Sequence, residues 1–267
     1  MTDRYAVLGN PVKHSKSPQI HAAFAEQTGQ DISYEKLEVP LDQFKAFIQD
    51  LHRRGYKGLN ITLPFKEQAF EAVESLGDHA RHAGAVNTMI RTESGWEGHN
   101  TDGIGLVTDL TENLGIELRD KKILLLGAGG AVKGILAPLL EKNPALLHVA
   151  NRTAAKALVL AKKFHALGNI IGTGLDGPFQ APYDLIINGT SASVSGELPA
   201  LPDGLLQTGC AAYDLFYTEQ PTAFIQWATD QGASVTADGM GMLIEQAAES
   251  YYLWRNIRPD TKKLGKI

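Results

Sequence analysis

Lys121-Lys122-Ile123-Leu124-Leu125-Leu126-Gly127-Ala128-Gly129-Gly130-Ala131-Val132 is the stretch on which the fold turns. Its apolar run, bounded by lysines and a glycine cluster, has the length and composition of a strand buried on both faces. An apolar segment to about residue 140 then reads as a helix. A strand, a tight glycine turn and a helix N-terminus bring backbone N–H groups and the positive end of a helix dipole to one point. A pyrophosphate fits there. Gly127, Ala128, Gly129, Gly130 and Ala131 are therefore candidate cofactor contacts. The sixth position of the GxGxxG pattern holds Val132 in place of glycine or alanine, so the dinucleotide reading depends on the strand–turn–helix setting, with a purely structural turn as the competing one.

Downstream, residues 146–150 read as the next strand and end in Asn151-Arg152-Thr153. At this distance from the first glycine, about 20–25 residues, NAD-binding sheets place an acidic residue for the ribose 2′-hydroxyl. None is present. Arg152 offers a guanidinium for a 2′-phosphate, Thr153 a hydroxyl, and Lys156 an ammonium one helical turn on. NADP is thus favoured over NAD. The competing role for Thr153 is to cap a helix over residues 154–164, and the two roles are compatible. Strand-like segments at 170–171, 185–188 and 211–215, with helical stretches between several of them, complete an α/β pattern with a parallel sheet. Asn188, Thr190 and Ser191 follow the second of these segments, on the side where such sheets hold their cofactor.

Upstream, the expected strands are 5–8, 33–39 and 59–63, with a hairpin over 85–91 and 96–100. The expected helices are 17–28, 41–54, 66–76 and 104–114. Ser17-Pro18 reads as an N-cap and first helical position. Phe44, Phe47, Ile48 and Leu51 mark one apolar helix face. Pro64 ends the strand that carries Asn60 and Thr62, and Lys66 follows it, an amine at the end of a rigid element. Gly98-His99-Asn100-Thr101-Asp102-Gly103 presents a carboxylate on a turn. A lysine and an aspartate, with no nucleophilic serine arrangement, point to proton transfer beside another chemistry. A helix over 242–256 carries Leu243, Ala247, Tyr251 and Trp254 on one face and has no strand of its own to cover, so it is expected to return to the first part of the chain.

The 267 residues carry a net charge of −5 and no long basic run, which argues against nucleic acid as a partner. No apolar stretch reaches the roughly 18–20 residues that span a bilayer. The N-terminus enters a strand-like run without a signal-peptide pattern, and the cytoplasm is the expected compartment. Cys210 is the sole cysteine, so no internal disulfide forms and no cysteine zinc site exists. The histidines lack metal-ligand spacing, and no metal is expected.

In motif order the chain resembles the shikimate dehydrogenase family over essentially its whole length. The resemblance rests on Ser15-Lys16-Ser17-Pro18, Asn60-Ile61-Thr62-Leu63-Pro64-Phe65-Lys66, Gly84-Ala85-Val86-Asn87-Thr88 and Asn100-Thr101-Asp102-Gly103. It continues through the glycine turn, Asn151-Arg152-Thr153, Asn188-Gly189-Thr190-Ser191, and Gly239-Met240-Gly241-Met242 running on to Gln246-Ala247. It implies a substrate domain over 1–102 and 239–267, a Rossmann-type NADP domain over 103–238, and a C-terminal helix returning to the first. The implied reaction is reversible, NADPH-dependent reduction of 3-dehydroshikimate to shikimate. Lys66 and Asp102 match its catalytic pair, and Ser15 and Ser17 its carboxylate-binding serines. Thr62, Asn87 and Gln246 match positions bonding the ring hydroxyls, and Tyr217 a tyrosine near the substrate. Gly239 and Met242 match the nicotinamide region. Lys133, where the family commonly has arginine, and the loop after Ser191 depart from its pattern. A quinate/shikimate dehydrogenase of broader specificity, or a non-catalytic regulator binding the same metabolites, stays open, as does monomer against homodimer.

Overall fold

Two sheets organise the chain, and the computed structural model describes residues 2–264 of it. Two compact units result, Met1–Gly105 with Ile244–Ile267, and Leu106–Leu243. Residue 1 and residues 265–267, which the sequence assigns to the first domain, lie outside the described residues.

The first unit runs β1 (Asp3–Gly9), α1 (Ser17–Thr28), β2 (Ile32–Glu38), α2 (Phe44–Arg53), β3 (Gly58–Ile61), α3 (Lys66–Ala72), β4 (Ser75–Leu76), α4 (Asp78–Ala83), β5 (Thr88–Arg91) and β6 (Trp96–His99), and enters α5 (Asp102–Thr108). Its sheet has the order β2-β1-β3-β5-β6-β4. β1 pairs in parallel with β2 and β3, and the β5–β6 hairpin adds antiparallel to β3, with Asn60 opposite Thr88. The apolar face of α2 is as expected: Phe44, Ile48 and Leu51 are buried, at i, i+4 and i+7. Buried side chains of this size each contribute roughly 1.5–3 kcal/mol.

Three local expectations change. The strand through Thr62 stops at Ile61, and residues 62–65 form a turn closed by the Phe65 N–H on the Thr62 carbonyl. The helix expected over 66–76 ends at Ala72, because Val73 turns extended and Ser75 and Leu76 pair with β6. The helix expected over 104–114 begins at Asp102 and widens into a π-turn at Asp109–Asn113.

The second unit runs β7 (Lys122–Leu126), α6 (Gly130–Leu140), β8 (Leu146–Ala150), α7 (Ala154–Phe164), β9 (Ile170–Thr173), β10 (Tyr183–Asn188), β11 (Leu206–Asp214), α8 (Ala223–Asp230) and β12 (Val235–Ala237), and enters α9 (Met240–Arg255). Its sheet is parallel throughout, in the order β12-β11-β10-β7-β8-β9. This is a doubly wound sheet whose strand order reverses between β7 and β10. Alternation along β7 sends Ile123 and Leu125 to a core with α6 and α7, and Leu124 and Leu126 to one with Phe224 and Ala228 of α8. Burial on both faces explains why this strand reads as a continuous apolar run. Residues 244–255 of α9 belong to the first unit, where Ala247, Ala248 and Tyr251 are fully buried.

Candidate active site

In the first unit four of the expected residues meet. β3 ends at Ile61 and the turn after it delivers Lys66 as the first residue of α3. The Lys66 Nζ donates to Asp102 Oδ2 at 2.6 Å, with the side chains 22% and 9% exposed. The second Asp102 oxygen, Oδ1, accepts from Asn87 Nδ2 at 2.8 Å. The Asp102 backbone N–H is held by Asn100 Oδ1 at 3.1 Å, and Asn100 Nδ2 bonds the Ala85 carbonyl at 3.0 Å. Asn87 also donates to Gln246 Oε1 at 3.3 Å, and its Oδ1 accepts from the Thr101 N–H at 2.9 Å. The carboxylate is thus oriented at both oxygens, while the amine remains reachable from solvent.

Behind this row lies a buried polar layer that sequence reasoning did not assign. Asn60 Nδ2 donates to Thr88 Oγ1 at 3.2 Å and Ser250 Oγ at 3.0 Å, and Asn60 Oδ1 accepts from the Tyr34 hydroxyl at 2.7 Å. Ser250 lies one turn after Gln246 and bonds its carbonyl, a spacing that places both on one face of α9. Gly105 allows that helix to approach: a Cβ there would lie 2.6 Å from the Gln246 nitrogen. His21 stacks on Tyr34 with ring centroids 4.3 Å apart. Burial pushes its imidazole down to about 3. Asn60 is near enough to oppose that shift slightly, yet neither ring nitrogen has a partner in hydrogen-bond geometry. Burial also raises the Tyr34 phenol well above its ordinary range.

Ser15 and Ser17 meet each other, their hydroxyls 3.1 Å apart. Ser17 is the first helical residue rather than the cap, a role that falls to Lys16. Ser15 Oγ accepts the Ser17 N–H at 3.3 Å. The expected capping is therefore corrected by one position, and it is Ser15 that satisfies a first-turn N–H. Thr62 sits in the turn after β3 with its methyl above Gly9, where an added Cβ would come within 2.5 Å.

In the second unit the cofactor candidates line the carboxyl ends of neighbouring strands. Leu126 pairs with Ala150 and Asn188, and Asn188 with Asp214, so Gly127, Asn151, Gly189 and Leu215 emerge side by side. Gly127 has φ +109°, and a Cβ there would lie 2.7 Å from the Gly189 carbonyl oxygen, which excludes a larger residue. Gly129 and Gly130 differ, for a Cβ on either would meet nothing within 4 Å. Open space therefore lies over the first turn of α6, where backbone N–H groups lack intrahelical partners. Arg152, Thr153 and Lys156 are exposed beside it. Thr153 is the N-cap residue of α7, but its side chain makes no capping bond. Its expected capping role is thus not realised, and the hydroxyl stays available. A dinucleotide phosphate with a 2′-phosphate fits this donor set.

Thr190 is held by Asn188, whose Oδ1 accepts from the Thr190 N–H at 3.2 Å and hydroxyl at 2.8 Å. Ser191 follows it. Gly239 packs against the Leu215 carbonyl, and the Met242 N–H donates to the Tyr213 hydroxyl at 3.1 Å. Tyr217 belongs to this unit, on the loop after β11 beside the Phe216 ring, and burial with nearby Asp238 raises its phenol pKa. Among the described residues there is no group of three metal-ligating side chains. No helix among them is long and apolar enough to cross a membrane.

Three family models match in chain order: a shikimate dehydrogenase substrate binding domain at residues 7–89, shikimate / quinate 5-dehydrogenase at 109–194, and a shikimate 5′-dehydrogenase C-terminal domain at 239–264. A shikimate dehydrogenase (NADP(+)) of Cellvibrio japonicus (strain Ueda107) is 54% identical over 261 residues, 97% of this chain and 94% of its own. Among solved structures, an Ael1 enzyme from Pseudomonas putida is 43% identical with a TM-score of 0.91, covering 98% of this chain and 96% of that one. Shikimate 5-dehydrogenase from Thermus thermophilus, in complex with NADP(H) and shikimate, is 34% identical with a TM-score of 0.86 and the same coverages.

Proposed function

The chain belongs to the shikimate dehydrogenase family, and we propose that it catalyses the reversible NADPH-dependent reduction of 3-dehydroshikimate to shikimate, a step of aromatic amino-acid biosynthesis. The observation that carries the mechanism is the Lys66–Asp102 pair at 2.6 Å, with the other carboxylate oxygen committed to Asn87. NADPH supplies the hydride that reduces the ketone carbon. Charge then develops on the ketone oxygen, where the Lys66 ammonium stabilises it and gives up a proton to form the hydroxyl. In the oxidation direction neutral Lys66 removes that proton. Asp102 holds the amine in place and accepts a hydrogen bond from the reacting hydroxyl.

The remaining assignments follow the same logic. The Met1–Gly105 unit with the tail of α9 serves as substrate domain, and the Leu106–Leu243 unit as NADP domain. Ser15 and Ser17 donate to the substrate carboxylate at the start of α1. Thr62, Asn87 and Gln246 bond the ring hydroxyls, and Tyr217 is assigned as a further substrate-binding residue. The first turn of α6 receives the pyrophosphate, and Arg152, Thr153 and Lys156, next to Asn151, receive the 2′-phosphate and adenine. Thr190, Ser191, Gly239 and Met242 flank the nicotinamide. The enzyme works in the cytoplasm as a monomer or homodimer, without nucleic-acid, membrane or metal partners.

Reduction of NADP⁺ with shikimate, followed by the absorbance of the NADPH formed, tests the reading. Turnover with shikimate and NADP⁺, and at least ~10-fold less with NAD⁺, is expected from loss of the charge-assisted 2′-phosphate contacts. Absence of turnover with shikimate refutes it, and comparable rates with quinate move the assignment to the broader quinate/shikimate enzyme.

A further inference from the structure

Asp214 closes β11 and is fully buried. A buried carboxylate costs several kcal/mol unless donors meet its lone pairs. Four do. Oδ1 accepts from Asn188 Nδ2 at 3.2 Å and from the Phe216 N–H at 3.1 Å. Oδ2 accepts from the hydroxyls of Ser193 and Thr222, each at 2.6 Å. These donors come from the end of β10 and the loop after it, and from the loop after β11; the Gly189 N–H donates to the carbonyl of Leu126, the residue before the glycine turn, at 2.8 Å.

The chemistry of the carboxylate sets a direction. Ionised, it only accepts, so the Asn188 side chain must turn its NH₂ toward Asp214 and its oxygen away. That oxygen is the one that holds the Thr190 N–H and hydroxyl. Ser193 adds to the same arrangement, accepting from Asn188 Nδ2 at 2.8 Å while donating to Asp214.

We propose that Asp214 is a positioning residue for the nicotinamide cofactor: through the Asn188 amide it holds the Thr190–Ser191 turn, and through the Phe216 N–H the start of the Tyr217 loop, as one platform at the ends of β10 and β11. This rests on the NADP reading of the second unit. It adds a residue that touches no ligand and acts through both loops.

Asp214→Asn keeps the shape but replaces one accepting oxygen by an NH₂ donor, so either the Asn188 and Phe216 N–H groups or the Ser193 and Thr222 hydroxyls lose their acceptor. NADPH affinity, read by fluorescence titration, falls about 10-fold, the scale of one disturbed charge-assisted hydrogen bond, and KM for NADP⁺ rises in parallel. KM for shikimate rises less than KM for NADP⁺, since every assigned shikimate contact except Tyr217 belongs to the other unit. A fall in melting temperature alone, with both KM values unchanged, shows a merely structural role and overturns the proposal, as does an equal rise in both. Ser193→Ala removes one donor without altering the carboxylate. It weakens NADPH binding about 3-fold, and unchanged binding in a folded Ser193→Ala protein overturns the proposal even where Asp214→Asn does not fold. Wild-type protein that does not bind NADPH refutes the cofactor reading itself, and this inference with it.

Discussion

At Lys66 the groups offered to a ligand belong to side chains, whereas at the glycine turn they are backbone N–H groups, with open space over Gly129 and Gly130. The first is a network in which Asp102, Asn87 and Gln246 orient one another and leave an amine partly accessible. The second needs residues without side chains, Gly127 for its φ of +109° and Gly129 and Gly130 for the room above them. In the proposed mechanism, side-chain chemistry selects one polyol acid and supplies the proton for its ketone oxygen. Backbone chemistry grips a phosphate that many cofactors share. Substitutions at the two places are therefore expected to fail in different ways.

The largest failure is expected at the amine. Lys66→Ala lowers kcat by ~10²–10⁴, the range for losing a positioned acid–base group, while NADPH affinity stays near wild type. Steady-state kinetics with a parallel NADPH titration checks this, and retained turnover would remove Lys66 from the mechanism. A smaller effect belongs to the phosphate side. Arg152→Ala reduces the preference for NADP⁺ over NAD⁺ in kcat/KM by about 10- to 100-fold, as one charged contact is lost, with KM for shikimate unchanged. An unaltered cofactor ratio would place the 2′-phosphate elsewhere.

The smallest effect separates stability from chemistry. His21, its imidazole held near 3, stays neutral in the fold, whereas the unfolded chain takes up its proton near the ordinary value of about 6.5. The unfolded state binds more protons between those values, so stability is full above about pH 6.5 and falls as the pH drops toward 3. Between pH 7 and pH 5 the loss from this one group is about 2 kcal/mol. In His21→Phe, which keeps an aromatic ring against Tyr34, the difference in denaturant midpoints between the two pH values is correspondingly smaller. An identical difference would mean that the ring finds a proton acceptor in the fold.

Much of this is legible in the chain, for reasons that can be named. β8 and α7 are readable to the residue because a doubly buried strand and a helix with a clear apolar face state their periods plainly. β4, two residues long, has no period to read and exists through its pairing with β6. β12, three residues long, is in the same position beside β11. Lys66 and Asp102 are recognisable through the local patterns around them. The layer of Ser250, Thr88 and Asn60 is not, since three polar groups separated by up to 190 positions meet only when β3, β5 and α9 come together. Ser250 leaves one trace, its spacing of four from Gln246. Asp214 leaves none, since a carboxylate at a strand end reads as a turn residue until its four donors are seen.

The exposure of Arg152, Thr153 and Lys156 has a consequence for how such an enzyme changes over time. None of the three supports the cores built on β7 and α6, so replacing them costs the fold little, typically within about ±0.5 kcal/mol. On the proposed assignment of the 2′-phosphate to these three, cofactor choice is written on a removable surface, apart from the buried residues that make the sheet. On that assignment a lineage, or a designer, would exchange one pyridine nucleotide for the other by editing the rim of β8 and leaving the interior untouched.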